Sequence, residues 1–181
     1  MKTQKKYILV LGLFLLSATV FSQCFTTVNV GYAHVAGKKA DGTFWLWGSG
    51  TLGQQGNGID ADVLSPTLIP NSGTWQSVTC GEFNTFAIKA NGSLWASGYN
   101  LFGGLGIGST AEYSNTFIQV GTATNWKQIT ANDYFTVGLR TDGTLWAAGQ
   151  NDGFQMGNST CCANQLSFGQ IGTATDWKTI G

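Results

Sequence analysis

The sequence predicts an all-β protein assembled from tandem copies of one four-stranded unit. Three observations carry that expectation. Trp75, Trp126 and Trp177 recur every 51 residues, and Trp45, Trp95 and Trp146 recur at 50 and 51, so six of the seven tryptophans fall on two repeating positions. Asp41-Gly42, Asn91-Gly92 and Asp142-Gly143 stand just before three of those tryptophans, between runs that alternate apolar and polar residues, which is the pattern of a β-hairpin. Glycines number 26, aromatics make up 13% and charged residues only 10%, a composition that suits many tight turns and excludes a disordered chain.

The first 22 residues stand outside the repeat. Lys2, Lys5 and Lys6 precede an unbroken apolar run from Ile8 to Leu16, followed by Ser17 and Ala18 and then Val20-Phe21-Ser22. This reads as a secretory signal peptide over residues 1–22, cleaved after Ser22. The apolar run is too short to cross a bilayer as a stable helix. A lipid-bearing Cys24 is the alternative, with Phe21 and Gln23 poor neighbours for it. The expected location is outside the cell, secreted or on the cell surface. Without residues 1–22 the chain keeps six basic and nine acidic residues, a net charge of −3. It has no basic cluster with which to neutralise phosphates, which argues against a nucleic-acid partner.

An exported chain can form disulfides, and Cys24, Cys80, Cys161 and Cys162 allow three pairings. Cys80 falls in an apolar strand and reads as a buried small residue. Cys161 and Cys162 lie in a loop and either bond to each other or stay free, adjacent pairs being strained. The only histidine, His34, is far from the other candidate ligands in sequence, so no metal and no cofactor is expected.

After a short segment, residues 23–27, the copies run over residues 28–77, 78–128 and 129–179, and a fourth opens at 180–181. Gly42, Gly92 and Gly143 occupy the hairpin turns, expected as two-residue turns with positive φ at both central positions. Gly48, Gly98 and Gly149 follow each hairpin tryptophan by three residues, and Gly56, Gly106 and Gly157 come eight later. In the second copy Phe86 and Ile88 share one strand face while Ala87 and Lys89 share the other. Leu94 and Ala96 then alternate with Trp95 and Ser97. Further strands run through Phe117 to Val120 and Trp126 to Ile129. Four short strands at this spacing make one blade of a β-propeller, and the repeated tryptophans are expected in the core between blades.

The motif Asp-Gly-Thr-Leu-Trp-x-x-Gly, followed by Gly-x-Leu-Gly-x-Gly, resembles the regulator of chromosome condensation repeat. Gly98-Tyr99-Asn100 with Gly104-Leu105-Gly106-Ile107-Gly108 is the clearest copy. Gly50 replaces the asparagine of Asn100 and Asn151 in the first copy, and Phe154 stands where Gly103 stands in the second. His34 matches the family's usual histidine, replaced by Asn84 and Phe135 in the other copies. The resemblance implies a seven-bladed ring. Three blades are less than half of one, so the expectation is a partial propeller, a fragment whose remaining blades or further domains lie in a longer chain.

No catalytic constellation is legible. Ser-His-Asp chemistry would have to use His34, which sits at a strand position of the repeat. The acids are scattered, and the glycines from Gly103 to Gly108 carry no lysine and lead into no helix, so they make no phosphate loop. Function is therefore expected on the segments that differ between copies, residues 59–65, 109–116 and 160–167. Asp60, Asp62, Glu112 and Tyr113 are the candidate contact residues there. The first functional expectation is a non-enzymatic, secreted or surface binding scaffold for a protein or a glycan. The resemblance adds two alternatives, an inhibitor of a secreted enzyme and a guanine-nucleotide-exchange or chromatin-binding role that export opposes, and the partial repeat count adds a third, the non-catalytic part of a larger extracellular enzyme.

Overall fold

The computed structural model describes residues 24–69, 74–132, 134–157 and 162–181. The segment read as a signal peptide and Cys161 lie outside the described residues. Twelve strands form three antiparallel sheets of four, each in simple sequence order. The first sheet holds β1 (Phe25–Val30), β2 (His34–Lys39), β3 (Phe44–Gly48) and β4 (Val63–Leu68). The second holds β5 (Trp75–Cys80), β6 (Asn84–Lys89), β7 (Leu94–Tyr99) and β8 (Tyr113–Gln119). The third holds β9 (Trp126–Ala131), β10 (Phe135–Arg140), β11 (Leu145–Gly149) and β12 (Gln165–Ile171).

The sheets stack as blades. Between the first two lies a core of Ala36, Phe44, Leu46, Ile69, Trp75, Val78 and Ala87. Between the second and third lies a core of Phe86, Ile88, Leu94, Ala96, Leu105, Val120, Trp126 and Ile129. Strand β6 feeds both: Ala87 points into one core, Phe86 and Ile88 into the other. The strict two-residue alternation in its sequence therefore produces a strand buried at all six positions. Trp75 and Trp126 are buried as expected, whereas Trp177 is 47% exposed and lies in no strand. Trp126 meets Phe168 of the third blade edge to face, with centroids 4.8 Å apart. Burying roughly 200 Å² of indole at about 25 cal/mol per Å² contributes about 5 kcal/mol. A net hydrogen bond contributes about 1 kcal/mol, so the tryptophans decide how the blades sit.

The hairpins differ from the expected two-residue type. Lys39 NH donates to Thr43 O, and Gly42 NH donates to Lys39 O. The connection is thus the three residues Ala40-Asp41-Gly42. Only the glycine has positive φ, +84°, with +79° at Gly92 and Gly143, and Asp41, Asn91 and Asp142 do not share it. A type I turn closed by a left-handed glycine is the three-residue hairpin loop. The aspartate has another task. Asp41 Oδ1 accepts from both the NH and the hydroxyl of Thr43, and Thr43 Oγ1 accepts from Trp45 Nε1 at 2.8 Å. The same relay runs Trp95–Ser93–Asn91 and Trp146–Thr144–Asp142. A cation then covers each indole: Lys39 over Trp45, Lys89 over Trp95 and Arg140 over Trp146, at 3.5, 3.8 and 3.5 Å.

The long connection after the third strand of one blade lies on the next blade. Asn57 bridges to Thr116 and Ile107 to Ser167. Thr85 Oγ1 donates to Gln54 O at 2.7 Å, and Thr136 Oγ1 donates to Gly104 O at 2.8 Å. Within the second of these loops, buried Asn100 donates to Ser109 O and Ala111 O and accepts from Leu105 NH, which holds the loop's shape.

Candidate functional site

Strand direction sorts every connection to one end of the blades or the other. The turns at residues 31–33 and 81–83 and the described loop residues 49–62, 100–112, 150–157 and 162–164 lie at one end, the loop end. The hairpins and blade-to-blade links lie at the opposite, turn end. First strands of successive blades touch, β1 with β5 and β5 with β9, so they line the inner side of the arc.

Charge follows the same division. All six basic residues after residue 22, Lys38, Lys39, Lys89, Lys127, Arg140 and Lys178, sit at the turn end. Asp41, Asp142 and Asp176 join them there. Asp60, Asp62, Glu82, Glu112 and Asp152 sit at the loop end with no Lys or Arg among the described residues. Short-range order in the repeat explains the segregation: the basic positions close the second strand or open the first, and both places face the hairpins.

The loop end also carries a band of touching aromatic rings. Tyr32 meets Phe83 at 5.5 Å, Phe83 meets Tyr99 at 6.3 Å, Tyr99 meets Tyr134 at 6.1 Å, and Tyr134 meets Phe102 at 5.0 Å. The band crosses all three blades. Tyr32 is 74% exposed and Tyr134 37%, with exposed Leu101 beside them. At its inner edge is an open cavity of about 270 Å³ between Val30, Tyr32, Cys80, Glu82, Ala131 and Asn132. A larger cavity of about 340 Å³, lined by Val120, Trp126, Arg140 and Phe168, lies between the outer parts of the second and third blades and has no carboxylate on its wall.

Of the four residues singled out from sequence, two are joined. Tyr113 Oη donates to Asp60 Oδ2 at 3.1 Å, linking the loops of adjacent blades. That bond to the carboxylate raises the Tyr113 phenol above its ordinary range, with the Asp60 and Glu112 charges acting the same way. Asp62 instead accepts from Gly50 NH and holds its own loop. Glu112 accepts Asn100 NH with its carbonyl. Tyr99 is also raised, by desolvation first and then by Tyr134 and Glu112. Residues 158–161 fall outside the described residues, which covers the start of the third variable segment.

The aromatic band itself was not singled out from sequence. Its signal was present in register: Glu82-Phe83 and Asp133-Tyr134 pair an acid with an aromatic at the same turn positions, and Tyr32-Ala33 occupies them in the first copy. Asp133 lies outside the described residues. His34 is fully buried, with Nε2 2.9 Å from Thr85 Oγ1. Thr85 spends its proton on Gln54 O, so its oxygen accepts from His34 Nε2–H. Burial lowers the His34 pKa to about 4. Cys80 and Cys24 are free, and Cys162 is disulfide-bonded. Burial raises the Cys80 thiol to about 12.

A stack of four-stranded antiparallel blades with its long loops on one face is a β-propeller. Family models of the regulator of chromosome condensation (RCC1) repeat match residues 41–88 and, in a second version, 75–103 and 126–155. The chain belongs to the RCC1 repeat family. It is 30% identical to the ultraviolet-B receptor UVR8 of Arabidopsis thaliana over 141 residues, covering 72% of this chain and 30% of the receptor. It is 28% identical to the human X-linked retinitis pigmentosa GTPase regulator over 152 residues, 79% of this chain and 15% of the regulator. The chain therefore spans less than a third of these relatives. Among solved structures, Prp20p from Saccharomyces cerevisiae superposes with a TM-score of 0.72 at 18% identity, over 90% of this chain and 42% of that one. Human WBSCR16 gives 0.69 at 18% identity, over 80% and 38%. Both share the fold.

Proposed function

We propose that this chain is a non-enzymatic binding scaffold, exported from the cell, that recognises a protein or a glycan through the loop end of its blades. One observation carries the reading: turns, a loop and the end of β7 place five aromatic side chains in a chain of neighbouring pairs across three blades, on the face opposite the hairpins. Aromatic residues on a rigid backbone supply contact area at low entropic cost and dominate binding hot spots. The buried, hydrogen-bonded state of His34 supports a structural rather than catalytic role for it. Two relatives are named as a receptor and as a GTPase regulator, and a regulatory scaffold agrees with those names.

The test is retention of ligand. The full chain is immobilised and offered arrays of glycans and the proteins of the extracellular medium, beside a Tyr99→Ser/Tyr134→Ser variant of matched thermal stability. A ligand held by the native chain and lost by the variant is expected. A ligand held equally by both overturns the assignment to the loop end, and none held by either overturns the scaffold reading. Cell fractionation tests export: the chain is expected outside the cytoplasm, with its N-terminus at residue 23.

A further inference from the structure

We propose that the aromatic band is the docking track of a basic protein segment, an extended stretch bearing Lys or Arg, and that one cationic side chain enters the cavity between Tyr32 and Glu82. This rests on the binding-scaffold reading and narrows its ligand.

The argument begins with charge. Asp60, Asp62, Glu82 and Glu112 stand at the loop end, and the six basic residues after residue 22 all lie at the other end. Acids therefore outnumber bases at the described loop end, a charge balance that favours encounter with cations over acidic partners. The Tyr113 phenol, raised first by its bond to Asp60 and last by Glu112, lies near two of those carboxylates.

The cavity gives the cation a seat. Glu82 and Tyr32 line it together with Val30, Cys80, Ala131 and Asn132, a wall that mixes an acidic residue, an aromatic residue and small apolar ones. An aliphatic stem ending in a charge suits that mixture: methylenes go against the apolar residues, and the charged head is drawn towards Glu82 and Tyr32.

Ring geometry separates a peptide from a sugar chain. Successive rings in the band are tilted by 53°, 75°, 58° and 80°. No two neighbours lie flat side by side, so the band offers no continuous platform on which consecutive sugar rings could stack. Tilted rings do make notches for side chains that project from an extended backbone. The band takes four ring-to-ring steps of 5.0–6.3 Å, which is longer than one side chain can cover. A segment of chain therefore fits it better than a small cation.

The test titrates the full chain with three probes: a short labelled peptide alternating Lys and Arg with Leu, the same peptide with Gln at every basic position, and a neutral hexasaccharide. Binding of the basic peptide is expected, weakening as salt rises. Glu82→Gln/Glu112→Gln should weaken it by about fivefold or more, and Lys127→Gln at the turn end should leave it unchanged. Equal binding of the Gln peptide, or binding of the hexasaccharide alone, overturns the cationic assignment and leaves the scaffold reading standing. Failure of all three probes also overturns this proposal, while the scaffold reading still answers to the array experiment. Thermal unfolding of each variant separates lost binding from lost fold.

Discussion

Thr136 donates its hydroxyl to the carbonyl of Gly104, 2.8 Å away, across the boundary between the second and third blades. Both groups are buried, and Thr85 makes the same bond to Gln54 one blade earlier. Replacing Thr136 by Val keeps the shape and removes the donor, leaving a buried carbonyl without its partner. The expected cost is about 1–3 kcal/mol, read as a fall of several degrees in Tm, with Thr136→Ser close to native. Equal Tm for Val and native would show that the hydroxyl does not join the blades.

His34 gives the stack a dependence on pH. Its folded pKa is about 4 against the usual 6.5. Between those values the unfolded chain holds a proton that the folded chain lacks, so stability falls as pH drops from 6.5 towards 4 and is flat in this respect above 6.5. The full difference corresponds to about 3 kcal/mol at 1.36 kcal/mol per pKa unit. His34→Asn, which places there the residue found at position 84, should remove this slope. Denaturant midpoints at several pH values check it, and an unchanged slope in the variant would assign the effect to other groups.

Two glycines near the same link share a left-handed backbone and differ in what surrounds them. Gly121 has φ +59° and meets no described residue where a Cβ would go, whereas at Gly92 a Cβ would stand 2.0 Å from Thr124 O. Gly121→Ala should cost about 1–2 kcal/mol from the left-handed backbone alone. Gly92→Ala carries that cost plus the collision with backbone, so its Tm should fall further. Equal losses would show that the link at residues 122–125 yields freely.

The two free cysteines should differ in reactivity. Cys24 is exposed, while burial keeps the Cys80 thiol protonated. Alkylation of the native protein at mildly alkaline pH should label Cys24 and spare Cys80, since the thiolate is the nucleophile. Denaturation should then release Cys80. Mass spectrometry of the peptides reads both states, and rapid native labelling of Cys80 would contradict its protection.

The blade was legible in the sequence because its determinants are local. Trp45, Gly42 and Asp41 lie within five residues, and the strands on either side alternate over the same span. The hairpin type was misread because Asp-Gly signals two kinds of loop. The choice between them turned on Ala40, whose place in the connection depends on where the Lys39–Thr43 pair closes. The binding face was less legible. Asp60 and Tyr113 stood out by difference between copies, and their bond follows from that placement. Tyr32, Phe83 and Tyr134 sit in the short turn between the first two strands of each copy, Tyr32 one position off the other two, and Tyr99 and Phe102 come from another part of the repeat. Only the packing of blades joins those five rings, across as many as 102 positions of chain.

The bridges from Asn57 to Thr116 and from Ile107 to Ser167 make each blade clasp its successor in the same way. A stack joined by identical handshakes has a direction and no privileged member. Stability then accrues by neighbouring pairs along the described blades. Recognition and cohesion share the same loops, since Thr116 and Ser167 lie in segments that differ between copies yet take part in the joints, so a change at the binding face is also felt between blades.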